Sequence, residues 1–543
     1  MIDAVAKNDR EIPHPIETGF EIGQDNIQPF GLDIHNPVFL FSSVSIAVFV
    51  TLTLAFQERA VAFFGWLLPF LTSAFDWFFL SVADVFLLFC LYLMVSPLGK
   101  IRLGGRNATP DHGYAGWFAM LFAAGIGIGL MYFGVAEPMT HYSSSLGGTV
   151  VENGGRIDSA PLDAAVDDPK AARDLAMAAT ILHWGLHGWA VYAVIGLALA
   201  FFGYNRGLPL TLRSTFYPIL GERVWGWWGH AADILAVLAT LFGLVTSLGL
   251  GTEQGLAGLN HLFGWDTGNA AKISLMAFVT LCAMISVLRG LKGGVEILSK
   301  INIVMAVLLL LFVIVAGPTM DIFDTMVSGG IAYVNDLLPL SMPFARQDGN
   351  FADNWTAFYW AWWFSWSPFV GMFIARISRG RTIREFIFCV ILLPTIVCFV
   401  WISAFGGTAI SRVIADAADP IKDAALELKL FHLLAGLPLA SVTSFLGIIL
   451  VLVFFVTSSD SGSIVIDTIT AGGKTESPIP QQVFWCGIEG IVAGTLLLVG
   501  GVNALSALQA MVVSSGLPFA VVLLVSMASL WIGLRESIRE DAI

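Results

Sequence analysis

Apolar residues fill this chain in runs of about 20, the length a helix needs to cross a bilayer core, and polar residues gather between the runs. Twelve such runs lie at about 37–57, 76–96, 114–136, 176–203, 229–258, 272–289, 300–317, 355–376, 384–405, 438–458, 483–501 and 506–534. The stretch 321–341, "DIFDTMVSGGIAYVNDLLPLS", is too polar to span. Its Ile322, Met326, Ile331 and Val334 predict an amphipathic helix lying on the membrane surface. The pattern predicts an all-α integral membrane protein with twelve transmembrane helices.

Composition agrees. The 543 residues are 57% hydrophobic and only 12% charged, about half the charge a soluble protein of this size carries. A net charge of −13 argues against nucleic acid as a partner. Residues 1–36 are polar and lack the apolar core of a signal peptide, which predicts a cytoplasmic N-terminus. Loop charge then sets the orientation. Lys100, Arg102, Arg106, Arg206, Arg213, Arg223, Arg289, Lys292, Lys300, Arg376, Arg379, Arg381 and Arg384 all fall in loops expected inside. The loops expected outside, 137–175, 318–354 and 406–437, are richer in acids than bases. An even number of spans returns the C-terminus to the cytoplasm. The five cysteines all sit in apolar stretches without metal-ligand spacing and read as small buried hydrophobes.

Span three reads "FAAGIGIGLMYFGVAEP", with Gly125, Gly127 and Gly129 at spacing two. Glycine weakens a helix, and irregular backbone within a membrane is tolerated only where it is buried or lines a cavity. One reading is close helix packing, which favours spacing four. The other is an unwound substrate site near the midplane, and spacing two favours it. Span ten ends "FFVTSSDSGS" (residues 454–463), a dense set of hydroxyls. Such hydroxyls either bond back to their own helix or, with unwound carbonyls, offer hard oxygen ligands to a cation such as Na⁺.

Span eight carries "YWAWWFSWSPF", residues 359–369. At about 100° per residue, Tyr359, Trp362, Trp363 and Trp366 share one arc, with Trp360 to one side. "LHWGLHGWAVYAV" in span four puts Trp184, Trp189 and Tyr192 on about half of that helix. Interfacial anchoring explains Trp355 and Trp360 but explains the deeper Trp366 poorly. Two facing aromatic arcs without a charge suit a quaternary ammonium, which ring faces attract without a buried anion. His183 and His187 stand four apart as a possible metal pair, but no third ligand is evident and helix packing is the simpler role. Glu137, at the outer end of span three, reads as a solvated or structural acid.

These segments, with "AAGIGIGLMYFG", "YWAWWFSWSPFVGMFIARISRGRTIREF" and "VTSSDSGS" in order from about residue 40 to 535, resemble the betaine/choline/carnitine transporters. The resemblance implies a five-plus-five inverted-repeat transporter core preceded by two extra helices. The parts would be an N-terminal segment 1–36, peripheral helices 37–110, first repeat 111–317 (spans three to seven), surface helix and loop 318–354, second repeat 355–534 (spans eight to twelve) and tail 535–543. It also implies a homotrimer in a bacterial inner membrane. By motif position the cage would be Trp184, Trp189, Tyr192 and Trp363, with Trp362 and Trp366 flanking the path and Phe373 as a gate. One sodium would sit on the hydroxyls of Thr457 and Ser458 and the carbonyls of Ala123, Ile126 and Phe454. A second would lie near Thr240 and Phe369, but Leu244 stands where the family has another threonine. Choline-type members carry aspartate where this chain has Gly129, which leans toward a zwitterion. Val370 stands where sodium-independent carnitine exchangers have methionine, and span five has no fixed base, which favours sodium symport. The tail "RESIREDAI" lacks the long basic extension of osmotically activated members.

The expectation is a secondary transporter, not an enzyme. It would carry a betaine-like zwitterion with a quaternary ammonium or tertiary sulfonium head, using no cofactor beyond Na⁺ as coupling ion. The rivals are proton-coupled choline uptake or carnitine exchange, a membrane enzyme built on His183 and His187, and a channel.

Overall fold

Helices follow the apolar runs. The computed structural model describes residues 12–152, 155–290 and 296–542, so Lys292 and the first eleven residues of the N-terminal segment lie outside it. Among the described residues, helices occupy the twelve expected places: Asn36–Ala55, Gln57–Val95, Tyr114–Gly125 with Ile128–Gly147, Pro169–Trp184 with Leu186–Tyr204, Trp227–Phe263, Asn269–Gly290, Glu296–Ala316, Ala357–Ile377, Ile383–Ala415, Ala440–Thr470, Ile479–Gly500 and Ala504–Ala542. Among the described residues, length and hydropathy alone mark nine helical stretches as membrane spans, or ten with the bent third. Spans eleven and twelve count there as one stretch, and span eight, rich in Trp, Tyr and Ser, falls short on hydropathy because it faces protein rather than lipid.

Burial sorts the spans. The apolar window of span four is 94% buried and that of span five 83%, against 22% for span one. Span four packs on span eight, span five on span ten, and span eight on span twelve, so the aromatic and hydroxyl-rich segments meet at the centre. Spans one, six and seven lie at the periphery and present leucine, valine and phenylalanine outward.

Several helices outrun their expected ends. Span two starts at Gln57, and its 39 residues measure about 58 Å, well beyond a bilayer core of about 30 Å, so it must tilt or protrude. Span twelve runs through the expected tail to Ala542, where Glu540 accepts from Arg206 at 2.6 Å. The loop expected at 137–175 shrinks to 148–168, because span three continues to Gly147 and span four starts at Pro169 behind the N-cap Asp168. What is left of it holds a short antiparallel pair, Val151–Glu152 with Gly155–Arg156. The Arg156 guanidinium, 2.5 Å from Asp158, holds that carboxyl down at about 2 with help from the Val150 and Ala160 amides. Span nine starts on a capping box: the Thr382 hydroxyl accepts from the Glu385 amide, and the Glu385 carboxylate accepts from the Thr382 amide.

The surface helix exists, as Thr319–Ser341, but its packed face differs from the expected one. Ile322, Thr325, Gly329 and Tyr333 are buried, whereas Ile331 and Val334 are exposed. Gly329 decides this, since a Cβ there would lie 2.9 Å from the Cβ of Met177 on span four. Arg173 locks the contact with an ion pair to Asp324 at 3.0 Å.

Candidate substrate and ion site

Span three breaks where its glycines alternate. The halves Tyr114–Gly125 and Ile128–Gly147 meet at 58°, joined by the extended residues Ile126 and Gly127. Nothing lies within 4 Å of where a Gly127 side chain would begin, so bare backbone faces open space. Gly129 is different: a Cβ there would meet the Trp362 ring at 2.7 Å and the Trp184 ring at 2.8 Å. It lets two tryptophans close over the helix, and it leaves no room for an aspartate.

Span four also breaks, at Gly185 between Trp184 and Leu186, which its sequence pattern did not predict. The cue was the pair Gly185 and Gly188. A Gly188 side chain would meet the Trp363 ring at 2.5 Å, so glycine here lets Trp363 lie on the helix backbone. The four expected cage rings do come together around Trp363. Its centroid lies 4.7 Å from Tyr192, 5.4 Å from Trp189 and 6.1 Å from Trp184.

Span eight enters through a π turn at Ala352–Thr356, a distortion that often accompanies functional sites. Pro368 cannot donate to the Phe364 carbonyl four residues back, and the Ser367 hydroxyl does so instead at 2.7 Å. Trp362 is held by its indole N–H on the Gly243 carbonyl at 3.4 Å. Trp366 packs on Phe369 at 5.4 Å.

All these rings border one cavity of about 610 Å³. Gly125, Gly127, Gly129, Trp184, Trp189, Tyr192, Trp362, Trp363, Trp366 and Phe369 line it. So do Ala123, Ile126, Phe454, Thr457 and Ser458 of the expected sodium site, with Val370 and Phe373 below the cage. It runs from the cage toward the face bearing the basic loops, where Ser299 and Lys300 border it. On the other side, Phe133, Trp355, Phe358 and Tyr359 pack against one another over the cage. The hydroxyl of Thr457 donates back to the Val453 and Phe454 carbonyls at 3.0 and 3.2 Å. It therefore bonds to its own helix while bordering the cavity.

Thr240 is not brought to the cavity. It is buried, and among the described residues its hydroxyl has no partner. Leu244, one turn on, packs into the space left by Gly462, so the region around Thr240 and Phe369 offers one hydroxyl, not two.

The histidines part company. His187 meets Asp84 at 3.0 Å, whereas His183 meets Glu137 at 2.5 Å and Thr356 at 3.0 Å. They form no metal pair with each other. Glu137 is not a solvated acid at the mouth of span three, because the helix runs ten residues past it and leaves it fully buried. His141, one turn on, also contacts it at 3.3 Å. Glu137, His141 and His183 stand close enough to hold an ion, but they are joined to one another by hydrogen bonds. Trp360 is 1% exposed and lies beside His187, so it is a packing residue rather than an interfacial anchor.

One sharply broken span beside an aromatic-walled cavity, set among apolar helices, fits a membrane carrier for small solutes. Comparison with known proteins narrows the class. Residues 37–539 match the family model described as "BCCT, betaine/carnitine/choline family transporter", and the chain belongs to that family. It is 56% identical over 528 residues to a glycine betaine/proline/choline transporter of Vibrio parahaemolyticus, covering 96% of this chain and 95% of that protein. It is 50% identical to a glycine betaine/proline/choline/ectoine transporter of the same organism, covering 96% and 91%. It is 41% identical to the glycine betaine transporter of Bacillus subtilis, covering 87% and 89%. The chain is therefore a multi-pass membrane transporter, and the enzyme reading falls away.

Proposed function

We propose that the protein takes up a betaine-like zwitterion with a quaternary ammonium or sulfonium head, in symport with sodium, by alternating access. The observation that carries the reading is the ring of Trp184, Trp189, Tyr192 and Trp363 on a cavity shared with Ala123, Ile126, Phe454, Thr457 and Ser458. Ring faces attract an onium head at about 0.5–2 kcal/mol each. The N-terminus of the half-helix Ile128–Gly147 supplies unpaired amides and a positive dipole end for a carboxylate. The oxygens of spans three and ten suit a small hard cation, so solute and ion share one cavity and can stabilise one closed state. Because Leu244 displaces the second hydroxyl near Thr240, coupling rests on this ion site.

The reading extends to a bacterial inner membrane with both termini cytoplasmic, which the loop charges favour, and to a homotrimer, which the family resemblance implies. A broader substrate range that includes choline and proline is favoured by the two Vibrio relatives, both named as transporters of these solutes. Expression in a bacterial strain without its own betaine carriers tests the proposal. Labelled glycine betaine should enter saturably with sodium and be competed by dimethylsulfoniopropionate. Uptake unchanged in sodium-free buffer, or uptake that never saturates, would refute it.

A further inference from the structure

The cage has no charge of its own, yet a carboxylate lies directly behind it. Glu137 is fully buried. One of its oxygens accepts from the Trp184 indole N–H at 2.9 Å and from the Tyr359 hydroxyl. The other faces His183 Nδ1 at 2.5 Å and His141 Nε2 at 3.3 Å. Four donors converge on one side chain, and an indole can only donate, which is the environment an ionised carboxylate collects. The histidines are shaped for donation rather than charge. His183 is stacked flat between Phe351 and Tyr359 and passes its far nitrogen to Thr356. His141 is edge-on to Trp355, with no partner for its second nitrogen among the described residues. A neutral imidazole can be left so, whereas two imidazolium ions here would crowd like charges.

We infer that Glu137 is the counter-charge of the onium cage: a positioning and specificity residue that fixes the Trp184 ring through its N–H and acts electrostatically across it. This rests on the cage reading of the same cavity. Trp184 spans the two functions: its ring lines the cavity while its N–H lies on Glu137. A negative charge behind the ring does two things. It polarises the indole, which strengthens the ring face toward a cation. It also favours a ligand of net positive charge over a zwitterion, whose own carboxylate feels the opposite force. Taking roughly 9 Å from the carboxylate to an onium head across one indole, roughly 13 Å to a zwitterion's tail and an effective dielectric of about 20, removing the charge weakens a cation about 20-fold and a zwitterion about threefold.

The test uses purified full-length protein and calorimetric titration with choline and glycine betaine in saturating sodium, comparing wild type with Glu137→Gln. Glutamine keeps an acceptor for the Trp184 N–H, and its amide can donate to a histidine that changes tautomer. The expected result is a choline dissociation constant raised about 20-fold, one for betaine raised about threefold, and a choline-to-betaine preference that falls accordingly. Equal losses for both solutes would overturn the inference, since a merely structural residue would not change the ratio. Should the glutamine variant not fold, Tyr359→Phe carries the test. It keeps the carboxylate and its Trp184 link and removes one donor that shields the charge, so the choline-to-betaine preference should rise, and an unchanged or lower preference would overturn the inference. Choline binding abolished by a metal chelator would also overturn it, because an ion held by Glu137, His141 and His183 would cancel the charge. A wild-type protein that binds neither solute would sink the cage reading itself, and is told apart from failure of the Glu137 role because it appears before any substitution.

Discussion

Removing the Trp363 ring should cost the protein its onium ligand while leaving the fold standing. Trp363 touches all three other cage rings, at 4.7, 5.4 and 6.1 Å between centroids, and rests on the span-four backbone at Gly188. In Trp363→Leu one ring face disappears, worth about 1–2 kcal/mol to a desolvated cation. The neighbouring rings lose their edge-to-face partner, and their loosening costs about 1 kcal/mol more in preorganisation. The sum of about 2–3 kcal/mol raises the dissociation constant for glycine betaine about 30- to 150-fold. Trp363→Phe keeps a smaller ring face and should fall between, at about 3- to 10-fold. Calorimetric titration of purified protein reads both values, and circular dichroism checks that the helices remain. A leucine variant within threefold of wild type would refute the argument. A phenylalanine variant as weak as leucine would show that volume, not the ring face, holds the ligand.

Other substitutions separate ion from solute. Thr457→Ala removes one proposed ion ligand and frees the Val453 and Phe454 carbonyls from its hydroxyl. It should raise the sodium concentration for half-maximal uptake about tenfold, with affinity at saturating sodium little changed; an unchanged sodium curve would remove Thr457 from the site. Gly188→Ala places a methyl against the Trp363 ring at 2.5 Å. It should weaken betaine binding about as much as Trp363→Phe, read by the same titration, and wild-type affinity would mean that the ring is free to move.

The helices are legible in the sequence as long apolar runs, because a membrane demands them. The cage tryptophans and the hydroxyl cluster stood out because neither belongs in a helix that only faces lipid. What stayed hidden depended on contacts between distant segments. Span four's break at Gly185 left no alternating pattern like that of span three. Glu137 looked like a loop residue, since the sequence shows no reason for span three to outlast its Glu-Pro pair. Its four donors come from spans three, four and eight and are visible only when those helices meet. The helix at 319–341 buries Ile322 as expected, but Ile331 and Val334 turn outward because Gly329 lets the helix close on Met177.

Transport by sealed liposomes asks whether sodium drives an onium solute through this cavity. Purified protein in sealed liposomes, given an inward sodium gradient, should accumulate labelled glycine betaine above its external concentration. Accumulation should collapse to simple equilibration when sodium is equal on both sides, and an imposed proton gradient should not restore it. Accumulation driven equally well without sodium, or by protons alone, would rule out sodium symport.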